Sequence, residues 1–275
     1  MMVPWRRHRL LIAIAALFAA SIGYGLTLDP IEASLRDSLR PPGMDFPLGT
    51  DHLGRDVLAR IAHGFLLDFG LSLTIIAVSL ASGLGLGMLA AEFAGPLDRA
   101  LTFVMDVLTS LPQIVIALIL AVHLGGGELS LIIALSLTGW VKYARIARAA
   151  AFSLREREFV TAARLAGGRR LYVLRRHILP NLLPLLSGLV ALQFGHNILN
   201  IAALGFLGIG VQPPAPEWGA MIAEARPYFS RAPWLAVAPG IYLFGMTMFA
   251  LIIARRSGFR QERVDTASHS APVKR

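Results

Sequence analysis

The 275-residue sequence contains no cysteine, which excludes disulfide bonds, thiolate metal ligands and cysteine nucleophiles. Lysine is almost as scarce: it occurs only as Lys142 and Lys274, so arginine supplies nearly all the positive charge. A phosphate-binding P-loop needs a lysine directly after a glycine-rich turn, and neither lysine stands in such a place. The sequence therefore predicts no enzyme, with no catalytic residue, no metal site and no cofactor held by this chain.

The composition is instead strongly hydrophobic, with 55% apolar residues and a mean hydropathy of +0.62. A helix needs about 20 apolar residues to cross a hydrocarbon layer about 30 Å thick. The sequence predicts an all-α membrane protein with six transmembrane helices. The six apolar runs that carry this prediction are 10–28, 71–91, 101–122, 129–141, 185–211 and 234–254.

The first apolar run follows Arg6, Arg7 and Arg9, and a cleaved secretory signal has the same layout. Small residues at 19–21 leave signal cleavage open as an alternative. The run 10–28 is nevertheless longer than the roughly 7–15 apolar residues of a signal core, and further apolar runs follow it. We expect an uncleaved first helix, with residues 1–28 forming a cytoplasmic segment and that helix.

The net charge of +9 would suggest nucleic-acid binding in a soluble protein, but here the arginines flank the apolar runs. Most of them fall before the first run, between the fourth and fifth, and after the sixth, and the positive-inside rule assigns that side to the cytoplasm. The sequence thus predicts a multi-pass bacterial inner-membrane protein with cytoplasmic termini and no nucleic-acid partner. The predicted segments after residue 28 are a periplasmic loop at 29–69, a transmembrane core at 70–255 and a disordered tail at 256–275.

Residues 153–181 form the most informative segment outside the apolar runs. Residues 154–166 are good helix formers, and Gly167 and Gly168 are expected to end that helix. A second helix is expected to start near Arg169 and to end at Pro180. A plain basic loop is the alternative, but such a loop needs only arginines and has no need for small residues, a glycine stop and a proline at fixed positions.

The same segment resembles the "EAA" coupling loop of ABC importer permeases. Ala162, Ala163, Gly167, Leu179 and Pro180 stand at the positions of that motif. Two positions depart from it, because Thr161 replaces the usual Glu and His177 replaces the usual Ile. The resemblance implies that residues 161–180 couple the chain to an ATPase, while the missing Glu leaves any ionic contact from that position in doubt.

Two further motifs, at 47–56 and 203–219, are similar to signatures of the dipeptide/oligopeptide/nickel permease branch. The chain resembles the shorter, "C-type" permease of that branch, which implies a type I ABC importer transmembrane domain with a cytoplasmic coupling helix. The implied partners are a second homologous permease subunit forming a heterodimer, two cytoplasmic ATPase subunits that bind ATP and Mg, a periplasmic or lipid-anchored binding protein, and membrane lipid. The implied cargo is a peptide, nickel or a metal chelate.

The predicted external motifs are candidates for a periplasmic gate or a docking surface. Glycines allow tight turns there, and the charged residues can form a local ion-pair cluster. The alternative is a loop whose polar groups satisfy one another without contacting a partner. The candidate residues are Gly49, Thr50, Asp51, Gly54, Arg55, Asp56, Glu217 and Trp218.

The fifth apolar run carries polar residues at helical spacing: Gln193, His196, Asn197 and Asn200. They could line a translocation pathway, or they could hydrogen-bond neighbouring helices together. His196 favours a nickel or metal-chelate cargo, although one histidine among amides is not a metal site. The alternative class, an ion-coupled secondary transporter or channel, is expected to show inverted repeats and carboxylates at mid-membrane depth, and neither is evident.

Overall fold

The computed structural model describes residues 16 and 18–269, with side chains described as far as Arg255. Over these residues the chain is helical and contains no strand. Residues 18–25 are helical, and short 3-10 turns lie at Leu35–Asp37 and Arg226–Tyr228. The principal helices are α1 (Val57–Phe93), α2 (Gly95–Ser110), α3 (Gln113–His123), α4 (Gly127–Arg155), α5 (Glu158–Leu165), α6 (Arg170–Phe206), α7 (Trp218–Ala225) and α8 (Trp234–His269).

Four helices in the described part of the chain are long and apolar enough to cross a membrane: α1, α4, α6 and α8. A fifth crossing is counted if α2 and α3 form one broken span. The prediction of an all-α membrane protein is confirmed. Residues 10–15 and 17 of the first predicted helix, 10–28, lie outside those described, so the count of six stays a prediction.

The apolar run 101–122, predicted as one helix, is broken in the middle. Helices α2 and α3 meet at an angle of 91°. Leu111 is extended, with φ −108° and ψ 147°, because the ring of Pro112 disfavours a helical conformation at the preceding residue. The pair is therefore a sharply bent element rather than a straight crossing.

Helix α1 begins at Val57, inside the segment 29–69 that was predicted as a loop. The Asp56 carboxylate accepts a hydrogen bond of 3.0 Å from the backbone N–H of Ala59, as an N-cap residue does. Val57 and Ile61 are buried, so the first turns of the helix belong to the packed protein. The start of α1 is thus set by the burial of its first turns, which a search for long apolar runs does not detect.

Two other helices are longer than their apolar runs. Helix α4 continues to Arg155, so Lys142, Arg145 and Arg148 lie on the helix and not in the predicted connecting loop. The backbone of α8 is helical to His269, which differs from the disordered tail predicted from residue 256. The run Arg260–Arg263 consists of good helix formers, and no proline follows until Pro272.

The chain divides into two compact units. The first contains residues up to Leu71, Leu124–Ser130 and Ile198–Met246, and so includes the long segment before α1 and helix α7. The second contains Ser72–His123, Leu131–Asn197 and the chain from Thr247 onward, and so includes α2, α3 and α5. The candidate coupling segment and the candidate external motifs therefore belong to different units.

Helices α1 and α4 approach closely in the second unit through two glycines of α1. A Cβ atom on Gly83 would lie 2.4 Å from the Trp140 carbonyl oxygen, and one on Gly87 would lie 2.5 Å from that of Ala144. Membrane helices associate largely by van der Waals packing, so small residues at such contacts let the backbones meet. Gly85, between them, faces open space.

Gly83→Ala should destabilise the permease by about 1–3 kcal/mol, because the added methyl group has to push α1 and α4 apart. The matched variant Gly85→Ala adds the same methyl group on the same helix without a contact, and its stability should stay within about 1 kcal/mol of the wild type. Thermal unfolding of the purified proteins in detergent measures both effects. Equal stability of the two variants would contradict the close helix contact.

Candidate functional site

The candidate coupling segment, residues 153–181, is here called the elbow. Helix α5 ends in a Schellman motif, in which the Gly167 N–H bonds the Arg164 carbonyl and the Gly168 N–H bonds that of Ala163, both at 3.0 Å. Gly167 has φ +82°, which a glycine adopts without steric cost. The predicted glycine stop is therefore confirmed, although α5 starts at Glu158 and not at residue 154.

The end of the elbow differs from the prediction, because Pro180 is not a helix boundary. The chain forms a π turn at Leu174–Ile178 and continues as a helix to Phe206. The Leu179 N–H bonds the Leu174 carbonyl, five residues back. Pro180 has no N–H, and its ring would clash with the carbonyl four residues earlier in a regular helix, so the wider turn accommodates it.

One side of the elbow is packed into the second unit. Val160 from α5 and Val173 and Ile178 from the start of α6 are fully buried against small residues of α1 and α4. This packing holds the elbow against the ends of two long helices.

The other side of the elbow is an exposed apolar surface. Leu165 is 84% exposed, Leu171 61% and Tyr172 56%, with Arg169, Arg175 and Arg176 beside them. Clustered exposed apolar residues with a charged rim are typical of protein contact sites. Of the predicted coupling residues, Thr161, Ala162, Gly167 and Pro180 are exposed, while Ala163 and Leu179 are half-buried.

The motif around residues 49–56 is an ion-pair network in the first unit. The Asp51 carboxylate accepts bonds of 2.6 Å from Arg55 Nε and from Arg60 Nη1. Glu224 on α7 lies 3.2 Å from Arg55 Nη2 and 3.1 Å from Arg60 Nη2. Burial alone would raise the pKa of Asp51, but the backbone N–H of Arg55 and the charges of Arg60 and Arg55 outweigh it and lower that pKa.

The other residues of this motif stabilise the conformation of the loop itself. Gly49 and Gly54 have φ near +76°, and a Cβ on Gly54 would lie 1.9 Å from the Ser34 carbonyl oxygen. Thr50 pairs with Asp56 in an isolated antiparallel bridge. The loop is thus internally satisfied, which fits the alternative interpretation of the motif better than a direct docking surface.

Glu217 and Trp218 are fully buried at the start of α7. The Glu217 carboxylate caps the helix by accepting 2.7 Å bonds from the N–H groups of Gly219 and Ala220. Trp218 donates its indole N–H to the Ile61 carbonyl at 3.0 Å. Burial raises the pKa of Glu217 to about 7, and the two helix-capping bonds only partly offset that effect.

One group of three possible metal ligands occurs in the described part of the chain: Asp51, His52 and Glu224. Both carboxylates already contact arginines, so their charge is neutralised and the arrangement does not favour a cation. His196, which suggested a metal-related cargo, does not belong to such a group among these residues.

The polar residues of α6 lie on one side of the helix but differ in exposure. Gln193 and Asn197 are buried, Asn200 is half-buried and His196 is exposed. Gln193 accepts a hydrogen bond of 3.3 Å from the Lys142 ammonium of α4. The buried amides fit helix-to-helix hydrogen bonding, while His196 presents an imidazole at the surface of the chain.

Several polar residues at these sites were not singled out from the sequence. Arg60 and Glu224 complete the Asp51 network, and Lys142 contacts Gln193 from the middle of α4. Glu92 contacts the elbow from the last turn of α1. The available signal was a charged residue within or at the end of an apolar helix. The partners of Lys142 and Glu92 could not be found in this way, because they lie 51 and 72 residues away along the chain.

Comparison with known proteins agrees with these features. The family described as "Binding-protein-dependent transport system inner membrane component" matches residues 83–263. The di/tripeptide transport system permease protein DppC of Pseudomonas aeruginosa (strain UCBPP-PA14) is 41% identical over 241 residues, covering 84% of this chain and 78% of that protein. The nickel transport system permease protein NikC of Escherichia coli (strain K12) is 36% identical over 235 residues, covering 86% and 85%.

The fold is also similar to that of a solved transporter chain. A chain of the inward-facing MetNI methionine ABC transporter superposes with a TM-score of 0.55 and 19% sequence identity, covering 73% of this chain and 96% of that chain. This likeness confirms the predicted type of fold, and the sequence relatives confirm the predicted resemblance. The chain belongs to the family of binding-protein-dependent transport system inner membrane components, the permease subunits of ABC importers.

Proposed function

We propose that this chain pairs with a second homologous permease subunit to form a translocation pathway, and that two separate ATPase subunits drive it through the elbows. The observation that carries the proposal is the exposed apolar surface at Leu165, Leu171 and Tyr172 on a firmly packed support. The elbow also carries many of the arginines, so the positive-inside rule places it in the cytoplasm.

The proposed mechanism needs no ATP chemistry from this chain. ATP and Mg bind to the partner subunits, whose closure moves the elbow as a rigid body. Because the buried side of the elbow packs against α1 and α4, a displacement of the elbow has to displace the ends of those helices. The helices then switch the pathway between its two openings.

We propose a peptide as the cargo, and Lys142 is the observation that favours it. An ammonium group within a membrane helix is costly, and Lys142 donates a hydrogen bond to the neutral Gln193 amide. A peptide carboxylate supplies the missing counter-charge, whereas bare Ni²⁺ is repelled. Nickel remains the second candidate, because one relative is a nickel permease and His196 is exposed.

We further propose that the external motifs act as a scaffold for a binding protein that delivers this cargo. Asp51, Arg55, Glu217 and Trp218 are buried, so they shape the surface without contacting a partner themselves. This assigns docking to the exposed residues that the scaffold holds in place.

Uptake should depend on ATP and not on a proton gradient. In cells that express the complete transporter, ATP depletion should abolish uptake of radiolabelled dialanine, while a protonophore at constant ATP should leave most of it. Parallel uptake of ⁶³Ni²⁺ tests the second cargo. Dialanine uptake that stops with the protonophore alone would contradict the ATP-driven function and favour an ion-coupled transporter.

Leu165→Glu should lower co-purification of the ATPase subunits at least tenfold, because it places a charge in the apolar docking surface. Met44→Glu is the matched control, since Met44 is fully exposed in the other unit. Both variants replace an exposed apolar side chain, so both should keep wild-type thermal stability. Equal ATPase recovery with the two variants would contradict docking at the elbow.

The stability of the first unit should fall as the pH rises. Folded Glu217, with a pKa of about 7, binds its proton more tightly than an unfolded glutamate with a pKa of 4.5. Its stabilising contribution is therefore complete below pH 4.5 and is lost as the pH rises to about 7. Thermal unfolding in detergent should show this slope in wild type and in the exposed control Glu32→Gln, and a smaller slope in Glu217→Gln, in which the neighbouring buried carboxylate of Asp68 remains.

A further inference from the structure

Glu92 places a carboxylate at the point where α1 reaches the elbow. Its side chain is only 2% exposed, on the last turn of α1. Arg164 Nη2 donates to Glu92 Oε2 at 2.8 Å. Arg155 Nε and Arg170 Nε each lie 3.9 Å from a carboxylate oxygen. One buried acid therefore faces three guanidinium groups.

The three arginines come from three different helices. Arg155 is the last residue of α4, Arg164 lies in the last turn of α5, and Arg170 is the first residue of α6. Arg155 also donates from Nη1 to the Ala91 carbonyl on α1. The carboxylate thus connects α1 to the entry, the centre and the exit of the elbow.

The ion pairs of Glu92 constrain the orientation of the elbow, whereas the surrounding apolar packing does not. Val160 and Val173 hold the elbow by burial, which tolerates small sliding movements. A hydrogen-bonded ion pair fixes both distance and orientation. Without the Glu92 charge, the three arginines would lose the one counter-charge that they share across the junction.

The elbow does not supply this negative charge itself. Thr161 stands where the coupling motif usually has Glu, and its side chain is exposed. The acidic residues of the elbow, Glu156 and Glu158, are also exposed. In the described part of the chain, the buried carboxylate that meets the elbow arginines is that of α1.

We propose that Glu92 is the positioning residue that locks the elbow to α1, so that movement of the elbow is passed to that helix. The proposal rests on the function proposed above, in which the elbow docks an ATPase. It adds the residue through which docking is converted into helix movement. Breaking the lock leaves an elbow that still binds the ATPase but no longer moves α1 with it.

The coupling between ATP hydrolysis and import tests this role in the complete transporter in liposomes. With dialanine as probe, Glu92→Gln and Arg164→Met should each lower dialanine imported per ATP hydrolysed at least fivefold, while ATPase subunits stay bound. The double variant should be no worse than Glu92→Gln alone, because that variant already removes the contact with Arg164. Arg157→Met is the matched control: Arg157 is exposed on the same segment and outside the apolar docking surface, and its effect should be small and independent of Glu92→Gln.

A measurement of the distance between α1 and α5 tests the same role without relying on transport activity. The chain has no cysteine, so spin labels can be attached at Leu89→Cys on α1 and Glu158→Cys on α5, which are both exposed. Electron paramagnetic resonance should give a narrow distance distribution in the otherwise wild-type protein and with Arg157→Met. The distribution should broaden with Glu92→Gln and with Arg164→Met.

The possible results separate the two proposals. A wild-type transporter that imports dialanine with ATP, combined with normal coupling and a narrow distribution in Glu92→Gln, overturns the role of Glu92 alone. Effects of Glu92→Gln and Arg164→Met that multiply in the double variant also overturn it. A wild-type complex whose elbow binds no ATPase overturns the proposed function itself.

Discussion

The neutralisation of charges that are withdrawn from water constrains this protein throughout. A buried ion costs several kcal/mol unless an opposite charge and hydrogen bonds compensate it. In the first unit, Asp51 and Glu224 meet Arg55 and Arg60, and in the second unit Glu92 meets the arginines of the elbow. The pairs made by Glu224 and by Glu92 join segments that are distant in sequence, so satisfying these charges also fixes the fold.

Charges without such compensation are informative for the same reason. Lys142 lies in the middle of α4 and donates a hydrogen bond to a neutral amide. Glu217 is fully buried, and its carboxylate accepts hydrogen bonds from backbone N–H groups at the start of α7. The first is the observation that supports the proposed peptide cargo. The second makes the anchoring of α7 sensitive to pH. The fold thus depends on which buried charges are paired and which are not.

The elbow combines two kinds of contact with different consequences. Its buried valines pack against α1 and α4, and its exposed Leu165 and Tyr172 form the surface proposed to dock another protein. The Glu92 ion pairs add direction to the inner contact. A part that is rigidly attached on one side and apolar on the other can pass a movement from a soluble motor to a membrane helix.

The sequence by itself determined what depends on neighbouring residues. Long apolar runs were sufficient to predict a helical membrane protein, and the glycines after α5 predicted its Schellman stop, because both effects act within a few turns of the chain. The motifs at 47–56, 161–180 and 203–219 identified the family. The tertiary structure alone decided the partners of each buried charge, as for Glu92 and Arg164, which are separated by 72 positions. Helix ends such as Val57 and the passage through Pro180 were also decided by packing, because burial and a local π turn outweighed the propensities of the residues involved.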